Sequence, residues 1–173
     1  TTALEAKLII IRLLGGRGHW SYGLEQVRYW LNKDKSRNLI ILAGTREEYT
    51  ELHDLGSIDK STCDFLADLL IEGGSSNMNT FIVSIGQLLT NKEININKIK
   101  IDRLTDPLKW KWESSFPSKV GIIFYRSLYL AEDMQLPIAI YNKFKNLEIS
   151  PRILFVSSLK DKAILDKVLK IFL

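Results

Sequence analysis

Residues Lys7–Gly23 read KLIIIRLLGGRGHWSYG. The first half is a β-branched apolar run, and three glycines (Gly15, Gly16 and Gly18) stop it within four residues. Branched side chains suit a pleated surface covered on both faces, so Lys7–Leu14 is predicted to be a buried parallel strand ending in a turn. A helix is expected from about Tyr22 to Leu31, because Leu24, Val27 and Leu31 share one face and Ser21 stands where an N-cap belongs. Asn38–Gly44, NLIILAG, is a second short apolar run closed by glycine. Together they form a β-α-β unit, whose crossover is right-handed in nearly all proteins.

The pattern then dissolves into a polar loop over Thr45–Asp59. Ser61-Thr62-Cys63-Asp64 has the form of a capping box with Asp at its last place. It predicts a helix carrying Phe65, Leu66, Leu69 and Leu70 and ending at Gly73-Gly74. A second helix follows at once, with Met78, Phe81, Ile82, Ile85, Leu88 and Leu89 as a core-facing stripe. Asn91–Ser118 is irregular and reads as a connector with at most a short edge strand. Lys119–Ser127, KVGIIFYRS, and Arg152–Ser158, RILFVSS, are strands flanking a helix from about Pro137 to Leu147. A last helix starts near Lys160, with Ser158 and Asp161 in capping-box positions.

The expected class is α/β: two β-α-β units with mostly parallel strands, flavodoxin-like or Rossmann-like, joined by a helical pair and an irregular connector. The expected division is 1–90, a first α/β unit with its helical pair; 91–118, the connector; and 119–173, a second α/β unit truncated at its C-terminal end. Both ends look cut, so the chain reads as a piece of a longer protein.

The 173 residues hold 46% hydrophobic and 25% charged side chains, an ordinary globular composition. No apolar run reaches the roughly 20 residues of a membrane span, and the start lacks the regions of a signal peptide. Cys63, the one cysteine, excludes an internal disulfide and suits a reducing compartment, so the expected location is cytoplasmic and no membrane is involved. Lys and Arg outnumber Asp and Glu by 24 to 20, but the bases are spread along the chain and often stand beside acids. A solvated surface accounts for most of them, and a nucleic-acid partner is not expected.

A glycine-rich turn between strand and helix raises the question of a phosphate cradle. Gly16-Arg17-Gly18-His19-Trp20 is followed by Ser21 where the dinucleotide fingerprint has Gly or Ala, and the second strand ends Ala43-Gly44-Thr45 without the acid that holds a ribose. The P-loop fits less well still, because Leu24 follows Gly23 where Lys belongs, and a flavodoxin-like nucleotide- or flavin-binding module stays the alternative. What remains is a turn that gathers Arg17, His19, Trp20 and Tyr22. Arg17 suits a carboxylate bidentately, and the two rings suit a flat partner. The same residues equally suit a wedge of Trp20 and Tyr22 between helix and sheet, with Arg17 capping a neighbouring loop. Arg126, at the carboxyl end of the Lys119–Ser127 strand, is the second cation expected at a crevice, since ligands of parallel sheets bind beyond strand ends.

Other constellations carry less. Glu51, His53 and Asp54 offer ligand chemistry for a divalent ion, but a solvated loop is the ordinary reading, and no metal site is expected. Cys63 reads as a small core residue. No serine stands in a nucleophile elbow. Lys109–Trp112, KWKW, interleaves bases and aromatics as single-strand binders do, although tryptophans covering a sheet edge explain it as well.

Three stretches together resemble the large-subunit family of aerobic cobaltochelatases (CobN), which is related to the porphyrin-binding H subunit of magnesium chelatase. They are IRLLGGRGHWSYGLEQ (Ile11–Gln26), EGGSSNMNT (Glu72–Thr80) and the segment from Val120 to Asp161 that runs VGIIFYRS … VSSLKD. They stand in the family's order, and the form of the last favours the cobalt branch over the magnesium branch. The family's second strand often ends Pro-Gly-Asp, whereas this one ends Ala43-Gly44-Thr45. The resemblance implies a fragment of an ATP-dependent enzyme complex, a ligase that inserts Co²⁺ into hydrogenobyrinic acid a,c-diamide in cobalamin biosynthesis. It implies a corrinoid or other tetrapyrrole as substrate and AAA+-type ATPase subunits as partners. Co²⁺ and ATP belong to the whole complex, and no cofactor is expected in the fragment. Arg17, His19, Trp20, Tyr22 and Arg126 are the candidate substrate contacts; no catalytic residue is carried over.

Overall fold

A computed structural model describes residues 2–173. It divides into two units, Thr1–Asp102 and Arg103–Leu173. In chain order the first holds α1 (Thr2–Glu5), β1 (Leu8–Leu13), α2 (Ser21–Asn32), β2 (Asn38–Ala43), α3 (Tyr49–Leu52), α4 (Lys60–Glu72) and α5 (Ser75–Leu89). The second holds β3 (Leu108–Trp112), β4 (Lys119–Tyr125), α6 (Arg126–Leu130), α7 (Gln135–Asn146), β5 (Ser150–Val156) and α8 (Lys162–Phe172). The class is α/β, and among the described residues no helix is long and apolar enough to cross a membrane.

In the first unit β1 and β2 pair in parallel, from Leu8 opposite Asn38 to Leu13 opposite Ala43. Side chains of a strand alternate between faces, and β2 uses both. Leu39, Ile41 and Ala43 pack with Leu24 and Trp30 of α2 and with Leu52. Ile40 and Leu42 pack with Cys63, Phe65, Leu66 and Leu69 of α4. A strand without exposed face requires cover on each side, and the crossover helix α2 and the helix α4 supply it. Each buried Leu or Ile contributes about 2 kcal/mol.

Several local expectations are corrected. Ser21 is the first helical residue of α2 and makes no cap, because the chain enters through a 3₁₀ turn over Arg17–Trp20. Asp59, not Ser61, caps α4: its carboxylate accepts from the Thr62 N–H at 2.9 Å and from the Ser61 hydroxyl. Asp64 is thereby free of the capping box and receives the His53 ring and Lys60. Thr45–Asp59 is a series of short turns around α3, in which Leu52 and His53 are fully buried. Only part of the α5 stripe is core. Phe81, Ile85 and Leu88 pack on the first unit, whereas Met78, Ile82 and Leu89 are exposed, Ile82 by 61%. The stripe is wider than the α4 surface that meets it.

Ile94, Ile96, Ile99 and Ile101, within the irregular stretch after α5, pack on the α4 side of this core. Asn77 fixes the end of that stretch. Its amide donates to the carbonyls of Gly73 and Asp102, both at 2.8 Å, and accepts from the Asp102 N–H at 2.9 Å.

The second unit has the sheet order β3-β5-β4, with β4 parallel and β3 antiparallel to β5. Thus KWKW is a strand inside the expected connector, and the sheet is mixed. Trp110 lies opposite Ile153 and Trp112 opposite Arg152, with a register shift between them where Lys111 takes φ +45°. Without that bulge the two indoles would share one face. With it, Trp110 meets Phe155 edge-on at 5.9 Å, while Trp112 stacks on Phe172 of α8 at 6.0 Å. A tryptophan therefore covers each face of the sheet, which is the edge-covering role. Two helices, α6 and α7, connect β4 to β5 where one was expected. Asp161 caps α8 by accepting from the Ala163 and Ile164 N–H groups, and the helix starts at Lys162. Ser158 instead accepts from the Lys160 N–H.

Burial pushes the Cys63 thiol up to about 12. Cys63 should resist iodoacetamide at pH 8 in the folded chain and react when denaturant opens the first unit, which mass spectrometry resolves. Because folding raises this pKa, the stability it contributes is complete below the thiol's ordinary value of 9.0 and is lost as pH rises towards about 12.

Candidate functional site

β1 delivers the chain into the glycine turn, where Gly15 and Gly16 take φ +90° and +75°, a region costly for any side chain. Two of the turn's N–H groups are already occupied. Gly15 donates to Glu48 Oε1 at 3.1 Å, and Arg17 donates to Glu51 Oε1 at 2.7 Å. Two carboxylates of the chain thus stand where a phosphate cradle would bind its anion.

The segment that presents them is fastened to α4. Arg46 pairs with Asp68 at 3.0 Å and with Glu72 at 2.9 Å, and the Tyr49 hydroxyl donates to Asp68 at 2.8 Å. Burial, with Asp68 beside it, raises the Tyr49 phenol far above its ordinary range. His53 is 0% exposed and packs against Tyr49 with the rings tilted by 32° and their centroids 4.4 Å apart. Its Nε2 accepts from the Ala43 N–H at 2.9 Å, which places the ring proton on Nδ1, donated to Asp64 Oδ1 at 2.6 Å. Both ring nitrogens are committed to holding the fold, so the solvated-loop reading of His53 is overturned and no ring nitrogen is left to ligate an ion.

Four of the five candidate contacts fall on this turn and the helix it opens. The His19 ring covers Gly15 so closely that a Cβ there would lie 2.8 Å from it. Trp20 lies across Gly23, where a Cβ would come within 1.9 Å of the indole. Trp20 therefore does pack on the first turn of α2, yet it stays 42% exposed, and Tyr22 is 72% exposed. Arg17 does not cap a neighbouring loop: its backbone, not its guanidinium, makes the contact with Glu51. Arg126 belongs to the second unit, where it opens α6 directly after β4. There the Ser157 N–H, at the end of β5, donates to both oxygens of Asp106 at 3.3 Å. In each unit, then, the chain's own carboxylates occupy N–H groups at a strand's carboxyl end. Glu48 and Asp106 were not singled out in the sequence, and Glu51 was considered only beside His53 and Asp54 as an ion ligand; each is an acid in a polar or irregular stretch far from its partner.

Two further outcomes are expected. His53→Ala leaves the Ala43 N–H unpaired beside a cavity and should lower the stability of the first unit by about 3 kcal/mol in a denaturant titration. Glu51→Ala should accelerate amide exchange at Arg17, and Glu48→Ala at Gly15, each leaving the other amide protected by NMR.

No protein-family model matches the chain, and no curated protein matches it in sequence. Among solved structures it is similar to the catalytic subunit of cobaltochelatase from Mycobacterium tuberculosis, with a TM-score of 0.65 and 17% identity. The match covers 96% of this chain and 14% of that one. The chain therefore has the fold of one segment of a cobaltochelatase catalytic subunit.

Proposed function

We propose that the chain is a segment of the large subunit of a cobalt-inserting chelatase. The observation that carries this reading is the fold shared with a cobaltochelatase catalytic subunit over 96% of the chain. The stretches Ile11–Gln26, Glu72–Thr80 and Val120–Asp161 support it from the sequence. In this reading the whole enzyme inserts Co²⁺ into hydrogenobyrinic acid a,c-diamide in the cytoplasm, while AAA+-type partner subunits hydrolyse ATP. The segment's part is to contact the tetrapyrrole through Arg17, His19, Trp20 and Tyr22 of the first unit, with Arg126 of the second unit as a separate candidate contact. Exposed rings suit the flat macrocycle, and guanidinium groups suit its acidic side arms.

A flavodoxin-like nucleotide module is the weaker reading. It needs turn N–H groups for a phosphate, and those of Gly15 and Arg17 are bonded to Glu48 and Glu51. Occupied donors fit a division of labour in which ATP binds on other subunits.

Hydrogenobyrinic acid a,c-diamide should quench the tryptophan emission of the 173-residue chain, and Trp20→Phe should remove the quenched component. FMN, NAD and ATP should leave the melting temperature unchanged. A stabilising shift with any of the three, without corrinoid quenching, would replace the chelatase reading by the nucleotide module.

A further inference from the structure

Arg17 and Arg28 border one small crevice in the first unit, together with Ser21, Glu25, Leu24 and Leu55. Ser21, Leu24, Glu25 and Arg28 lie along one face of α2, one helical turn after another, and Arg17 closes the end nearest the glycine turn. Leu24 is buried and floors the crevice with apolar surface. Among the described residues neither guanidinium makes a hydrogen bond or an ion pair. Two positive charges thus border one concavity against the single negative charge of Glu25. That arrangement favours a monoanion over a neutral or cationic group.

Size narrows the ligand. The crevice encloses about 40 Å³, far below the roughly 300–1,000 Å³ of a pocket that takes in a whole drug-sized ligand. It admits a carboxylate head but no ring. Arginine forks match a carboxylate with parallel N–H donors, and the Ser21 hydroxyl adds a second kind of donor. Arg17 is held in place from behind, since Glu51 receives its backbone N–H at 2.7 Å.

We propose that this crevice is a seat for one carboxylate, the side arm of a larger ligand whose body stays outside it. The seat stands on the geometry of the first unit; that the larger ligand is a tetrapyrrole rests on the function proposed above.

The test follows the Nε–Hε resonances of Arg17 and Arg28 by NMR in the 173-residue chain, with sodium propionate as probe and sodium chloride at matched ionic strength as control. Propionate should move both resonances saturably. Arg17→Gln and Arg28→Gln should each weaken it about tenfold or more, and Glu25→Gln should tighten it. All three side chains are exposed, and unchanged melting temperatures report that the variants fold. No saturable shift, or an equal shift with chloride, overturns the seat. A parallel titration with hydrogenobyrinic acid a,c-diamide separates the two proposals. Corrinoid binding that both arginine variants leave undiminished shows that the macrocycle does not use the seat and keeps the chelatase reading. Propionate binding with no corrinoid binding keeps the seat and removes the tetrapyrrole as its ligand.

Discussion

The N–H of Ala43 sits at the end of a strand whose last five side chains are buried on both faces, where no water can reach it. An unpaired donor there would cost about 1–3 kcal/mol, and His53 answers it. To do so the imidazole must enter the core as the neutral Nδ1-protonated ring, and Asp64 on α4 accepts that proton. One buried amide thereby fixes where the segment after β2 runs. That path brings Glu48 and Glu51 to the glycine turn, and with it the positions of Arg17, His19 and Trp20. The candidate site is thus organised from the core outwards.

The glycine turn has the backbone of an anion site and the occupancy of a structural joint. Glycines at positive φ expose N–H groups, and a protein that does not use them for a ligand must pair them itself. Acidic side chains from the next segment pair the N–H groups of Gly15 and Arg17 without importing an ion. The arrangement leaves the guanidinium of Arg17, rather than its peptide, as the turn's means of meeting something external.

The sequence was most legible where chemistry repeats at short range. The apolar runs that became β1, β2, β4 and β5, and the helices over Tyr22–Leu31 and Phe65–Leu70, follow from periodicity alone. The caps were not, because Asp59 and Ser61 are both good caps two residues apart and only the path of the incoming chain chooses between them. The placing of the two KWKW tryptophans was illegible for a different reason. Period-two alternation assigns both tryptophans to one face, and a single residue at positive φ, Lys111, undoes that assignment. Of the site, the turn and its aromatic cluster could be read directly. Its carboxylate partners could not, since Gly15 and Glu48 lie 33 residues apart and nothing local couples them.

The bulge at Lys111 has a consequence beyond the placing of two indoles. β3 is an edge strand, and a flat, regular edge offers its free peptide groups to any passing extended chain. Here the pleat is interrupted in the middle of a five-residue strand, and Lys109 and Lys111 are exposed charges beside the break, each lying over a tryptophan ring. A foreign strand would find neither a continuous ladder nor a neutral surface. The feature that divides the tryptophans between the two faces also guards this border of the sheet against amyloid-like extension.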